Sequence, residues 1–269
     1  MKISVIIPTY NRSNFLLSAI NSINSQSYQV DEIIVVDDGS TDNTKEILDK
    51  LNIKYIYQDR QGVSKARNTG IKESKNEWIA FLDSDDTWEK EKIEKHVNFH
   101  KLNQNILCSY TDETWNRNGK IIKLKTYQEK EEPTFLNSLR LCKIGVSTFF
   151  CHKNIFEKIG YFDEELEVCE DYDLWLRILK DYEIKYINEK LTLKNAGHKN
   201  QLSFETKLID SYRIKALEKH LHTKYHQEVT NELIYKINIL LYGAKKHKNI
   251  QLLEECEQKL KILEDGSRK

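Results

Sequence analysis

Two kinds of apolar pattern alternate along the first hundred residues. Short β-branched runs occur at 3–7, 32–36, 53–57 and 77–82, as buried strands require. Between the first two, Phe15, Leu16, Ala19, Ile20 and Ile23 fall on one helical face, and Leu48 and Leu51 do the same after the second. This alternation predicts an α/β domain whose mainly parallel sheet carries helices on its faces. Asn118-Gly119 is a turn dipeptide between Ile106-Leu107-Cys108 and Ile121-Ile122-Lys123-Leu124, and it predicts a hairpin that adds antiparallel strands. Beyond about residue 203 there is no proline and there are two glycines, within long Lys/Glu/Leu/Ile-rich stretches. That composition predicts two or three amphipathic helices, with stripes such as Leu208, Tyr212, Ala216 and Leu217. The expected organisation is one domain over 1–203, with halves at about 1–100 and 101–203, followed by a helical extension over 204–269. The apolar stripes need a partner, which is the main domain, a second copy of the chain or a membrane surface.

Charge changes the picture by exclusion. Lys+Arg and Asp+Glu number 42 each, so no net field attracts nucleic acid or holds the chain to a membrane by charge alone. The aliphatic runs Ile3 to Ile7 and Ile33 to Val36 are far shorter than the roughly 20 apolar residues of a spanning helix. The strand-like opening Lys2-Ile3-Ser4-Val5-Ile6-Ile7 leads to the expectation of a cytoplasmic protein without a signal peptide. Cysteines 108, 142, 151, 169 and 256 include no Cys-x-x-Cys pair and are expected to be reduced packing residues.

In an open α/β sheet, ligands bind beyond the carboxyl ends of the strands. Here those ends read Pro8-Thr9-Tyr10-Asn11-Arg12, Asp37-Asp38-Gly39-Ser40, Gln58-Asp59-Arg60 and Asp83-Ser84-Asp85-Asp86. Acids converging on one edge repel one another unless a cation or a donor-rich ligand is present. No Gly-x-Gly-x-x-Gly or Gly-Lys-Ser/Thr loop is present, so a phosphorylated ligand needs another counter-charge, and Mg²⁺ or Mn²⁺ is the expected one. Asp83 and Asp85, two apart on an extended segment, offer two hard oxygen ligands on one face. Asp86 followed by Glu89 reads as a capping box opening a helix towards His100. Asp37-Asp38-Gly39-Ser40 reads either as a turn with a cap or as a carboxylate that accepts from an N–H of a base. Lys65 and Arg67, at a predicted helix start after Gly62, suit an anion or a carbonyl edge; a solvated charge pair is the alternative. Glu170 and Asp171 open a helix with the buried stripe Leu174, Trp175, Ile178 and Leu179, and Asp173 and Arg177 pair four residues apart. The acids at that helix start serve as helix-terminal charge, as a rigidly held catalytic carboxylate, or as both. Gly160-Tyr161-Phe162-Asp163 reads as a helix stop followed by a turn.

Taken together, SVIIPTYNR, VVDDGSTDNT, GVSKARNTG, LDSDD and EDYDLWLR, in this order and spacing, resemble family 2 glycosyltransferases over residues 3 to 203. The resemblance implies a GT-A fold and inverting, metal-assisted transfer of a hexosyl group. The donor would be a nucleotide-diphosphate sugar and the acceptor a hydroxyl of a glycan or lipid-linked acceptor. It further implies a role in bacterial surface polysaccharide assembly, in the cytoplasm or peripherally at the inner face of the membrane. Carried over by position, Pro8, Thr9, Tyr10, Arg12, Asp38 and Arg67 line the nucleotide pocket, and Asp38 reads the base. Asp83 sits by the ribose and the metal, Asp85 holds the metal, and His198 touches the metal or the diphosphate. Asp171 is the general base, with Glu170 supporting it. Two other readings stay open: an inactive nucleotide-sugar-binding module, and a sugar-1-phosphate nucleotidyltransferase, whose Gly-rich basic loop is missing from residues 3 to 12.

Overall fold

The computed structural model describes residues 1–141, 143–197 and 208–266. The β-branched runs form β1 (Ile3–Thr9), β2 (Glu32–Asp37), β3 (Lys54–Tyr57) and β4 (Trp78–Phe81), all parallel to one another. The second half adds β5 (Thr87–Trp88), β6 (Cys108–Arg117), β7 (Lys120–Ile122), β8 (Phe149–His152) and β9 (Ile184–Ala196). The sheet order is β3-β2-β1-β4-β8-β6-β9-β5, with β7 paired to β6. Strand β8 runs antiparallel to both β4 and β6, and β9 runs parallel to β6 with register shifts around Asp112. The expected hairpin joins β6 to β7, and Asn118 and Gly119 both have positive φ, 51° and 80°, as a primed turn demands. From β1 the chain moves to β2 and β3 on one side and returns to β4 on the other. That reversal makes a topological switch point, and it opens a crevice beyond the ends of β1 and β4.

The helices are α1 (Ser13–Asn24), α2 (Thr44–Leu48), α3 (Val63–Glu73), α4 (Lys92–Leu102), α5 (Phe135–Ser138), α6 (Asn154–Ile159), α7 (Glu170–Leu179), α8 (Ile209–Glu218), α9 (His226–His247) and α10 (Ile250–Gly266). Because strand side chains alternate, Val5 and Ile7 pack with Leu16, Ala19, Ile20 and Ile23 of α1, whereas Ile6 packs with Ile71 and Phe81 on the opposite face. A Cβ at Gly70 would lie 2.4 Å from Ile6 Cγ2, so the missing side chain is what lets α3 settle on β1.

Two expectations need correction. Asp86 and Glu89 do not form a capping box: Thr87–Trp88 pairs with β9, and α4 begins at Lys92. The free edge of β9 recruits Thr87 and Trp88, and this turns Asp86 inward, where it is 1% exposed. In the tail, Leu208 precedes α8 with φ 63° and is 47% exposed, so it lies outside the buried stripe. The remaining stripe packs inward: Ile214, Ala216 and Leu217 of α8 and Val229, Leu233 and Ile237 of α9 share one core with Tyr172 and Trp175 of α7. Tyr235, Ile239 and Tyr242 of α9 remain exposed. Cys108, Cys151, Cys169 and Cys256 are free and buried, and Cys142 lies outside the described residues.

Beneath the sheet, α4 is joined to β6 by a buried chain of hydrogen bonds whose direction follows from its ends. The Ile106 carbonyl can only accept, so His100 Nδ1 donates to it at 3.0 Å, and His100 Nε2 accepts from Ser109 Oγ at 2.8 Å. Ser109 Oγ in turn accepts from His96 Nδ1 at 2.7 Å, and His96 Nε2 accepts from Lys92 Nζ at 3.2 Å. Lys92 also donates to Thr111 Oγ1 and to the Thr148 carbonyl, at 3.0 and 3.1 Å. Both imidazoles are therefore neutral. Burial pushes the His96 pKa well below its usual value and takes His100 down to about 4.

Because these folded-state pKa values lie below the ordinary 6.5, their stabilising contribution is present above that pH. It falls as acid protonates the histidines of the unfolded chain. Urea denaturation should show unfolding free energy dropping between about pH 6.5 and 5, before carboxylates titrate; a flat profile there refutes the neutral pair. Ser109→Ala strands two ring nitrogens and should cost about 1–3 kcal/mol at neutral pH.

Candidate active site

The polar loops beyond β1 and β2 are tied to each other before any ligand is considered. Asn11 adopts φ 50°; its Oδ1 accepts from Thr41 N at 2.8 Å and its own N–H donates to Ser40 Oγ at 2.9 Å. Asp37 accepts from Ser40 N and from the Tyr55 hydroxyl, at 2.8 and 3.0 Å. Asp38, the expected base reader, accepts from Gln58 Nε2, Gln61 N and Gly62 N at 2.7, 2.9 and 2.8 Å. Three of a carboxylate's roughly four acceptor positions are thus taken by the segment leading into α3. Thr9 Oγ1 is buried and has no hydrogen-bond partner among the described residues, which is the state of a group that a ligand completes. Arg60 lies over the Tyr10 ring, 4.1 Å from its centroid, and donates to the Tyr10 hydroxyl at 3.1 Å.

Arg67 is the junction of the site. Its Nη2 donates to Asp83 Oδ1 at 2.8 Å and its Nη1 to Glu170 Oε1 at 2.5 Å, with the side chain 4% exposed. The solvated alternative applies instead to Lys65, which pairs with Glu164 at 3.1 Å on the surface. Burial alone would raise the Asp83 pKa, but Arg67, Lys194 and Arg12 hold it below the ordinary value. Asp85 pairs with Arg12 Nη1 at 2.9 Å. The segment Gly145-Val146-Ser147-Thr148 shapes this loop: Ser147 Oγ accepts from Asp83 N at 3.1 Å and donates to Asp86 Oδ2 at 2.7 Å. Asp86 also accepts from Asn195 N at 3.1 Å, and burial, with Asp85 and Asp83 nearby, lifts its pKa well above the carboxylate range against the pull of Lys194.

Glu170 and Asp171 occupy the first turn of α7, behind Cys169, a non-glycine residue held at φ 62°. Such a backbone costs of order 1–3 kcal/mol and persists where its surroundings over-determine it. The two acids then part. Glu170 turns into the protein towards Arg67, and burial raises its pKa despite that guanidinium. Asp171 lines a cavity of about 650 Å³. Asp173 is fully buried between Arg177 and Lys219, a tighter pairing than an exposed i,i+4 pair. Gly160, at φ 84°, ends α6, and Phe162 N donates to Asn68 Oδ1 at 3.0 Å, so this segment is a helix stop bound to α3.

The cavity brings together Pro8, Thr9, Tyr10, Arg12, Asp38, Arg67, Asp83, Asp85, Glu170 and Asp171. His198 lies outside the described residues. Among the wall residues that sequence reasoning missed are Lys194 and Asn195 at the end of β9, and Ile209 and Arg213 of α8. A polar pair closing the strand-like Leu191-Thr192-Leu193 was the available signal for the first two, whereas nothing in the amphipathic pattern marked the α8 pair.

The sequence model of Glycosyl transferase family 2 matches residues 4–159, more than half of the chain. The chain belongs to this family. The chain is 31% identical over 254 residues to the Escherichia coli UDP-Glc:alpha-D-GlcNAc-diphosphoundecaprenol beta-1,3-glucosyltransferase WfgD, covering 91% of this chain and 94% of that protein. It is 36% identical over 196 residues to an uncharacterized glycosyltransferase of Rickettsia conorii, covering 71% of this chain but 32% of that protein. The chain thus spans about a third of the length of that relative. Among solved structures, S. aureus TarS 1-349 in complex with UDP-GlcNAc superposes with TM-score 0.72 at 24% identity, over 90% of this chain and 73% of that one. The fold is therefore GT-A, a mixed sheet flanked by helices with further helices at the C-terminal side. Membership of the family sets aside the nucleotidyltransferase reading.

Removing one member of a buried ion pair leaves the other charge uncompensated. Arg67→Met in this glycosyltransferase should therefore lower unfolding free energy by about 3–5 kcal/mol, whereas Lys65→Met should change it by less than about 1 kcal/mol. Equal effects in urea denaturation would show that the Arg67 bridge carries no special load.

Proposed function

We propose that this glycosyltransferase moves a hexosyl group, with inversion, from a uridine-diphosphate sugar to a hydroxyl of a lipid-linked glycan. The observation that supports the reading most is the division of labour at the start of α7. Glu170 and Asp171 both line the cavity that holds Asp83 and Asp85, and Glu170 is ion-paired there with Arg67. In this reading Asp171 takes the acceptor hydroxyl proton as the oxygen attacks the anomeric carbon, a contribution typically worth about 10²–10⁴ in rate. The uridine nucleotide and the lipid-linked acceptor rest on the WfgD name. Such an acceptor would bring the enzyme to a membrane surface peripherally; among the described residues no helix is long and apolar enough to cross a bilayer.

The donor set fits a divalent cation held jointly with substrate. Asp83 and Asp85 keep 25% and 17% side-chain exposure on the cavity wall, and they are hard oxygen donors. Among the described residues no group of three or more His, Cys, Asp or Glu could hold a metal. Two carboxylates plus diphosphate oxygens and water is the usual composition of a Mg²⁺ or Mn²⁺ site at a phosphate. A bound ion would supply Lewis-acid neutralisation of the diphosphate. Arg12, which pairs with Asp85, would yield that carboxylate when an ion enters.

Two outcomes test this. Transfer from UDP-glucose or another UDP-hexose to a lipid-diphosphate-linked sugar should vanish in EDTA and return with Mn²⁺ or Mg²⁺; full activity in chelator removes the metal from the mechanism. Asp171→Asn should retain fold and UDP binding yet lose about 10²-fold or more in kcat, with Glu170→Gln milder in kcat and costlier in stability. The reverse ranking moves the base to Glu170.

A further inference from the structure

We infer that Lys194 is a diphosphate-binding residue whose ammonium contacts the phosphate oxygens of the donor and opposes the charge left on the departing nucleotide. This rests on the glycosyltransferase reading and assigns a residue to it. Lys194 stands opposite Trp115 where β9 pairs with β6, with Nζ 5.6 Å from the indole centroid, on the wall of the cavity that holds Asp83, Asp85 and Asp171. Gly145 lies beside it: a Cβ there would crowd Glu113 Oε2 at 2.6 Å and would meet Lys194 Nζ at an ordinary contact distance of 3.6 Å.

Its charge is uncommitted. Among the described residues Lys194 makes no hydrogen bond and no ion pair, whereas Arg12 pairs with Asp85 and Arg67 with Asp83 and Glu170. Most of the surrounding acid oxygens have donors of their own. Glu113 Oε1 accepts from Lys130 at 3.0 Å and from Trp115 Nε1 at 2.8 Å, Asp86 accepts from Ser147 and Asn195, and Asp83 from Arg67, while among the described residues Glu113 Oε2 has no hydrogen-bond partner. Burial would favour neutral Lys194, yet the acids around it hold its pKa above the ordinary value. An anion entering the cavity would give this ammonium the direct contact it lacks. An ammonium is a point charge with three donors and no preferred fork, and it is worth more against phosphate oxygens than against neutral sugar hydroxyls.

In the transfer, the acceptor oxygen bonds to the anomeric carbon as the bond from that carbon to the diphosphate oxygen breaks. The electron pair stays on the phosphate oxygen, the acceptor proton goes to Asp171, and Lys194 keeps its own proton and stabilises the new negative charge.

Calorimetric titration of wild type, Lys194→Met and Lys194→Arg with UDP and with uridine tests the assignment. Lys194→Met should bind UDP about tenfold or more weakly and uridine unchanged, and Lys194→Arg should recover most of the UDP affinity. A parallel loss for uridine marks a merely structural lysine and overturns the inference, as does unchanged UDP affinity with weakening confined to the UDP-sugar. Wild-type enzyme that ignores UDP defeats the donor reading itself, before Lys194 is at issue. If Lys194→Met does not fold, Lys194→Gln decides by the same titration: it should bind UDP about tenfold or more weakly and uridine unchanged, and unchanged UDP affinity refutes the contact.

Discussion

A guanidinium enclosed between two carboxylates organises this molecule. Arg67 is nearly inaccessible to solvent, and desolvating it costs several kcal/mol, which its ion pairs to Asp83 and Glu170 offset only if both are held in place. That requirement fixes three elements against one another: α3 carries the arginine, the end of β4 carries Asp83, and the first turn of α7 carries Glu170. The strained backbone at Cys169 is held from the same side, because Glu170 cannot relax without abandoning its partner. Asp171 is then left at a defined spot on the cavity wall by a neighbour that is fully occupied.

Around this junction the site is an arrangement of charges that a formally neutral chain keeps local. Asp83 is held ionised by Arg67, Lys194 and Arg12, while Asp86, three residues on and enclosed by Ser147 and Asn195, is pushed towards its neutral form. Two carboxylates of one short loop thus reach opposite protonation behaviour through environment alone. The same loop keeps Asp85 on the wall, where Arg12 occupies it when no ligand is bound.

Much of this was visible in the linear order of residues. Alternation of β-branched runs with 3.6-period stripes specified the parallel strands, the helices over them and the Asn118-Gly119 hairpin, because burying a sheet face imposes a local period that each segment carries itself. Polar endings of the strands marked the edge where the cavity opens, because switch-point crevices are built from those residues. Amphipathic stripes announced the C-terminal helices, and Ile214, Ala216 and Leu217 were buried accordingly.

What the tertiary structure alone decided are the relations between segments far apart in sequence. The pattern around Asp86 and Glu89 is a sound local helix start, yet pairing of Thr87–Trp88 with β9, more than a hundred residues later, outweighed it. Arg67 and Lys65 look alike in sequence, and only the docking of α7 made one a buried bridge and left the other in solvent. Lys194 and the α8 residues Ile209 and Arg213 reach the cavity because β9 pairs with β6 and the helical extension packs on α7. Local periodicity is written in neighbouring residues, because backbone geometry repeats over a few positions. The partner of a buried charge is chosen by which elements come to lie beside it, and that is a property of the packed chain.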